Sequence, residues 1–364
     1  MSNTDKFTLR SAQNDELQSM GLAHLLTKPN FDSSMVRVGM IGVRVVSRAL
    51  MQPYTLNYGR VRLKVAMITD LYTSRRYRNR GYAAMIVRDM LMYMVERGVH
   101  LALLNDTTPQ YFARFGFSSV LPRYVMTFAR EDAVTLPMPL QLISVRRGHL
   151  PQMAALYQRH WGHRVAFERT PMEWIWRFEH QQQDMRVAVS NDDIVQGYVI
   201  GQEILADTPD AAQSIISQLA RESQTETIRW IIPPDDAIVL FARDLLNITI
   251  SAEYAVIGGW MARLIDTQEI GEALLPELVA QGNSAGINTQ QLIFQPKADR
   301  VMIGLMNRPT TQCYLAHADF IRLMFGAINI MALGIRANLH ADGIELLQAL
   351  FPPRMAMIAP WDWS

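Results

Sequence analysis

The stretch Leu71-Tyr72-Thr73-Ser74-Arg75-Arg76-Tyr77-Arg78-Asn79-Arg80-Gly81-Tyr82-Ala83 sets an arginine-rich loop and a glycine between two apolar runs. A strand that ends in a basic loop, followed by a helix starting at a glycine, leaves the first amides of that helix uncovered. Such amides carry partial positive charge and bind anions, a diphosphate in particular. Gly81 lets the backbone approach phosphates closely, and Ala83 keeps a second approach open. Arg78 and Arg80 add ionic contacts. Other nucleotide cradles do not fit, because the chain has neither Gly-x-Gly-x-x-Gly nor Gly-Lys-Ser/Thr.

The elements that must position this loop follow from periodicity and turn residues. A helix is predicted over Asp15–Leu26, then strands over Val36–Val46 and Leu50–Leu56. The turn Asn57-Tyr58-Gly59 leads into a strand over Val61–Thr73. The helix after the loop runs from Tyr82 to about Arg97, with Tyr82, Ile86, Met90 and Tyr93 on one face and Arg88, Asp89 and Glu96 turned to water; Gly98 stops it. A strand at His100–Leu104 and a short helix at Gln110–Phe115 follow. Pro137 and Pro139 break the pattern near Thr135–Leu142.

A second α/β stretch then repeats the first loosely, without the arginine–glycine run. It has a helix at His149–His160, a strand at Met185–Val189, a turn at Asn191–Asp193 and a strand at Val195–Glu203. A helix at Ala211–Glu222, a strand at Arg229–Ile232 and a helix at Asp236–Asn247 complete it. The third segment carries strands at Met261–Ile265, around Gln290–Phe294 and at Arg300–Leu305. Its helices are Ile270–Leu278, His317–Phe325 and Gly343–Leu350. The expected fold class is α/β (α+β) with central mixed sheets, divided at 1–134, 135–253 and 254–364.

Composition narrows the function. The chain has 364 residues, and 49% of them are hydrophobic, enough for several cores. With 35 basic against 34 acidic residues the net charge is +1, which gives no general basic field for nucleic acid. The single cysteine, Cys313, excludes an internal disulfide and multi-cysteine metal sites and suits a reducing compartment. The polar Met1–Arg10 and the lack of a long apolar run point to a cytoplasmic protein with no membrane partner. His160 and His163, two histidines around Gly162, read as surface or capping residues, so no metal is expected. Many of the 22 methionines stand at helical spacing and read as core.

The loop resembles the signature of the GNAT superfamily of N-acetyltransferases, Arg/Gln-x-x-Gly-x-Gly/Ala, in Arg78, Gly81 and Ala83. Tyr111-Phe112-Ala113-Arg114-Phe115-Gly116-Phe117 is similar to the family's second motif, an aromatic helix ending in Gly-Phe. The resemblance implies acetyl-CoA as co-substrate. Leu71, Tyr72 and Thr73 would lie along its pantetheine arm, and Asn79, Arg80, Gly81, Tyr82 and Ala83, with Arg78, would surround its diphosphate. Over the whole chain the order of segments resembles the enhanced-intracellular-survival (Eis) family, with tandem GNAT domains, the second degenerate, and a sterol-carrier-like C-terminal domain. Met261-Ala262-Arg263-Leu264-Ile265-Asp266, Phe320 to Gly326, and Leu350-Phe351-Pro352 with the Trp361-Asp362-Trp363-Ser364 tail carry that likeness. It implies a homo-oligomer, often a hexamer.

Amide formation needs a neutral amine, a polarised thioester carbonyl and a leaving thiol. A backbone N–H on Leu71–Thr73 suits the carbonyl. By resemblance, the base is the terminal carboxylate, here that of Ser364, where the family usually ends in an aromatic residue. The family's acid tyrosine stands four residues before the glycine of the second motif, which here is Phe112; the adjacent Tyr111 is taken as its substitute. The resulting expectation is acetyl transfer to a primary amine of a small molecule or peptide lysine. The alternative is a non-catalytic acyl-CoA or lipid-binding protein with a relic acetyltransferase domain.

Overall fold

Long β-branched and apolar runs, the last three joined by two-residue turns, build the first sheet. In the computed structural model, which describes residues 6–106, 108–121, 123–253, 259–354, 356, 358 and 362, these runs are β1 (Phe7–Ser11), β2 (Val36–Ile41), β3 (Arg44–Tyr58) and β4 (Val61–Thr73). The expected strand over Val36–Val46 is cut in two at Gly42, whose φ of 57° closes the β2–β3 hairpin. The second hairpin turns at Gly59-Arg60 rather than at Asn57-Tyr58, which stay in the ladder with Tyr58 opposite Val61. Gly59 has φ 59°, and a Cβ there would collide with the Glu277 carboxylate. That carboxylate accepts from the Arg60 amide at 2.8 Å and pairs with Arg354 at 2.5 Å. The ion pair with Arg354 and bonds to Arg60 and Gln281 hold Glu277 below the usual carboxylate range against its own burial.

The helix expected over Asp15–Leu26 is shorter. It comprises α1 (Asn14–Ser19) and, after the left-handed Gly21, a 3-10 turn at Ala23–Thr27. The helix α2 (Tyr82–Glu96) buries Ile86, Val87, Met90, Leu91 and Met94, while Tyr82 and Tyr93 are half-buried. Asp89, read as solvent-facing, instead binds Arg37 of β2 at 2.6 Å. Gly98, at φ 63°, follows the helix end. Next come β5 (Leu101–Asp106), α3 (Pro109–Ala113) and β6 (Ser118–Leu121).

Two compact units emerge, Met1–Val120 with Ile257–Arg354, and Leu121–Val256 with Met355–Ser364. In the second, β7 (Arg123–Ala129) and α4 (Arg130–Val134) precede β8 (Gln141–Ser144), α5 (Leu150–Trp161), β9 (Ala166–Phe167) and α6 (Pro171–Gln181). The strands β10 (Met185–Val189), β11 (Val195–Ile200) and β12 (Glu203–Ala206), then α7 (Pro209–Glu222), β13 (Thr227–Ile231), α8 (Ala237–Leu245) and β14 (Ile248–Glu253), complete it. Its sheets are antiparallel, in the orders β12-β11-β10-β8 and β13-β7-β14. One core gathers Ile215, Ile216, Ile238 and Val239 of α7 and α8; another gathers Met153, Tyr157, Trp161 and Trp174 of α5 and α6.

The chain then returns to the first unit. Its β15 (Gly259–Leu264) lies between β5 and β6, so the sheet runs β1-β2-β3-β4-β5-β15-β6. The strand that opens the third segment of the sequence is thus part of the first segment's sheet. Beyond it are α9 (Thr267–Ser284), the antiparallel β16 (Leu292–Pro296), β17 (Arg300–Leu305) and β18 (Arg308–Ala316), then α10 (His317–Met324), α11 (Ile330–Arg336) and α12 (Ala341–Leu350). The class is mixed α and β, as the sequence patterning indicates.

Candidate functional site

Parallel pairing joins Val65–Met67 of β4 to Leu101–Leu103 of β5 and stops there. Beyond it β4 continues to Thr73, while β5 continues to Asp106 along β15. The β5-side edge of residues 68–73 therefore has backbone donors and acceptors left over for a ligand. On its other edge β4 slips against β3. Thr69 pairs with Leu50 but Tyr72 with Arg48, so one extra residue is accommodated, and Asp70 takes φ 49°. This is a β-bulge, which re-aims the strand at the point where its neighbour leaves it.

The end of β4 is pinned. The Ser47 hydroxyl reaches the Tyr72 carbonyl and the Thr73 hydroxyl, each at 2.8 Å, and the Ser74 amide donates to the Val46 carbonyl at 2.9 Å. The chain passes through a 3-10 turn at Arg75–Tyr77. Arg78 Nε then donates back to the Thr73 carbonyl at 3.1 Å. Asn79 (φ 61°) and Gly81 (φ 81°) are both left-handed, and Gly81 caps α2 with no side chain bonded to the helix's first amides. Space around a Gly81 Cβ is open, and Arg75, Arg76, Arg78 and Arg80 are exposed. Tyr82 is fixed by a parallel stack on Phe7 at 4.2 Å. The loop residues read from the sequence are therefore arranged as an open β edge running into an uncapped helix N-terminus amid four arginines. Such an arrangement is suited to take an anion at the helix end and an extended chain along the strand edge.

Of the catalytic residues expected, Tyr111 lies on α3, with Phe112 at 5.0 Å, Phe115 at 5.6 Å and the Arg114 guanidinium 4.0 Å over its ring. Its hydroxyl is shielded from solvent and has no hydrogen-bond partner among the described residues. Phe112 is a buried core residue. Ser364 lies outside the described residues. Two positions before it, Asp362 is fully buried and bound to Arg169 at 2.9 Å and Arg177 at 2.8 Å. Arg169 also holds Glu203 through two bonds of 2.6 and 2.7 Å, and Glu203 accepts from the Tyr198 hydroxyl at 2.8 Å. Burial alone would lower Arg169, yet Asp362 and Glu203 raise it well above its ordinary value. Sequence reasoning credited the tail's tryptophans and missed this anchor, whose signal is a lone carboxylate between Trp361 and Trp363.

In the second unit, helix α7 begins with a closed N-terminus. The Thr208 hydroxyl caps α7 through the Ala211 amide at 3.2 Å, and Pro209 and Asp210 occupy its first turn. A proline offers no amide, and a carboxylate repels a diphosphate. His160 bonds Asp207 at 2.8 Å, and among the described residues no group of three or more ligating side chains could hold a metal. Cys313 is buried, and burial pushes its thiol up to about 12. No described helix is long and apolar enough to cross a membrane.

Residues 12–120 match the family model described as an acetyltransferase (GNAT) domain. No curated protein matches the chain significantly in sequence. Solved structures are similar over nearly the whole length. A GCN5-related N-acetyltransferase from Anabaena variabilis has TM-score 0.66 at 14% identity, covering 97% of this chain and 99% of that one. One from Kribbella flavida gives 0.63 at 14%, covering 98% and 99%. Eis1 from Mycobacterium abscessus gives 0.59 at 14%, covering 97% and 99%. Residues 12–120 thus form a GNAT acetyltransferase domain, within a chain that has the fold of these proteins.

Proposed function

We propose that the protein transfers an acetyl group from acetyl-CoA to a primary amine. The observation that carries this is the free edge of β4 leading into the uncapped α2 N-terminus at Gly81. In this reading the amides of Tyr82 and Ala83, with Arg78, Asn79 and Arg80, receive the diphosphate. Leu71, Tyr72 and Thr73 pair with the pantetheine arm, and a backbone N–H there polarises the thioester carbonyl. The amine nitrogen attacks the carbonyl carbon, the new C–N bond forms and the C–S bond breaks. The amine proton passes to a base, and the Tyr111 hydroxyl protonates the departing thiolate. The terminal carboxylate of Ser364 is the proposed base, by the resemblance to the Eis family.

The test is thiol release from acetyl-CoA in the presence of amines. Tyr111→Phe should lower kcat by about tenfold or more with acetyl-CoA affinity unchanged, and removing Ser364 should also lower kcat. Acetyl-CoA binding with no turnover on any amine would favour a binding protein instead.

We also read the chain as three evolutionary segments, 1–134, 135–253 and 254–364, the last sterol-carrier-like. The three-stranded sheet β16–β18 with α9, α10 and α12 supports the last point. The same reading makes it a cytoplasmic homo-oligomer, testable by light scattering.

A further inference from the structure

The segment Met261-Ala262-Arg263-Leu264-Ile265-Asp266 holds two charged residues. Asp266 has a local task, since its carboxylate caps α9 by accepting from the amides of Gln268 at 2.9 Å and Glu269 at 3.0 Å. Arg263 has none. It stands within β15, opposite Ala102 of β5, on the strand that also borders β6. Its side chain is half-buried, and burial lowers the guanidinium below its ordinary value with no neighbouring charge to offset the shift. A cation kept there costs free energy unless its hydrogen bonds repay it. Among the described residues its side chain makes one hydrogen bond, from Nη1 to the Phe115 carbonyl at 2.5 Å.

That carbonyl belongs to the turn that ends α3. The helix has five residues, too few to persist without outside support. Its last carbonyls are served from within the turn. Phe112 accepts from the amides of Phe115 at 2.9 Å and Phe117 at 3.4 Å, and Ala113 accepts from Gly116 at 2.9 Å. The Phe115 carbonyl is served from β15 instead. Gly116 closes the turn at φ 82°, and a Cβ there would lie 3.8 Å from the Arg263 side chain, so the turn also rests on the arginine's stem. The Phe115 ring is buried and stands 5.6 Å from the Tyr111 ring. The Tyr111 hydroxyl has no hydrogen-bond partner among the described residues. Its position therefore depends on its ring contacts and on the path of the backbone around it.

We propose that Arg263 is a positioning residue for the acid step. By holding the Phe115 carbonyl it fixes the turn after α3, and through the Phe115 ring it fixes the Tyr111 hydroxyl for the departing thiolate. This inference rests on the acetyl-transfer reading above, with Tyr111 as the acid. Arg263 transfers no proton itself. The S–H bond forms as the Tyr111 O–H bond breaks, and the tyrosinate regains its proton from water. Proton transfer and leaving-group departure are steeply sensitive to placement, so a loosened turn slows the step without touching the cofactor loop at Arg78–Ala83.

The experiment is a double-mutant cycle on thiol release from acetyl-CoA, with the parent, Tyr111→Phe, Arg263→Met and the double variant. Methionine keeps an apolar stem and drops the charge and the donors. Arg263→Met should lower kcat by about tenfold, with KM for acetyl-CoA at the parent value. The double variant should fall within about twofold of Tyr111→Phe alone, because no hydroxyl is left to misplace. Arg263→Lys should recover part of kcat. Should Arg263→Met fail to unfold cooperatively on heating, Arg263→Gln passes through the same cycle. A parent-like kcat in Arg263→Met, or losses that multiply in the double variant as a purely structural role requires, would overturn this inference and leave acetyl transfer standing. A parent-like kcat in Tyr111→Phe would overturn the acid assignment and this inference with it. No thiol release with any amine would overturn the transfer reading as well.

Discussion

Gly81→Ala separates the cost of backbone strain from the cost of a blocked site. Gly81 has φ 81° and ψ 0°, in the left-handed region, and nothing lies within 4 Å of the position its Cβ would take. Stability therefore loses only the left-handed penalty of an L-residue, about 1–2 kcal/mol. For a unit of this size that lowers Tm by roughly 2–8 °C. The new methyl, however, stands where the proposed diphosphate would approach the helix amides. Losing that approach should weaken acetyl-CoA binding by about 1.4 kcal/mol or more, which is tenfold. Gly98, past the other end of the same helix, provides the control. It has φ 63° and equally open surroundings, so Gly98→Ala should show a similar Tm loss with unchanged acetyl-CoA affinity. The assays are thermal unfolding and calorimetric titration. Equal acetyl-CoA affinities for the two variants would refute the diphosphate assignment.

Other expectations follow from the buried charges. Asp362→Asn removes a fully buried partner of Arg169 and Arg177 and should cost about 3–5 kcal/mol in denaturant unfolding, with faster proteolysis of the tail. Gly59→Ala forces a left-handed alanine against Glu277 and should cost about 3 kcal/mol, more than Gly81→Ala does. Burial raises the Asp236 carboxyl above its ordinary value, and its Oδ2 has no partner among the described residues. A raised carboxylate favours the folded state below its unfolded pKa, and that contribution is lost as pH rises through the folded one. Asp236→Asn, which keeps a capping side chain for α8, should therefore raise Tm in mildly alkaline buffer, and the gain should vanish as the solution is acidified.

Where local chemistry dictates the element, the sequence is read well. The strand Val61–Thr73 is bounded by Gly59 and by the basic loop, and the structure ends it at the same residues. The α2 helix shows its period and its glycine stop. Other elements lack such marks. The strand Arg308–Ala316 begins with Arg-Pro-Thr-Thr, and its exposed face hides the alternation. The helix Pro171–Gln181 was legible but missed, although Thr170 and Glu173 spell a capping box before a helix-starting proline.

The site divides the same way. The loop proposed to hold the diphosphate is contiguous and shows itself in order. The bulge at Asp70 does not, because it depends on the register of β4 against β3, which no local pattern announces. Asp362 meets Arg169 and Arg177 only after the chain has crossed nearly 200 residues, so its pairing exists only in the fold.

The most direct test of the account is calorimetric titration of the purified protein with acetyl-CoA. The open loop at Gly81 and the closed helix start at Thr208–Asp210 together predict saturable binding at about one molecule per chain. No binding would contradict the account at its centre, and two sites per chain would contradict the reading of the second unit.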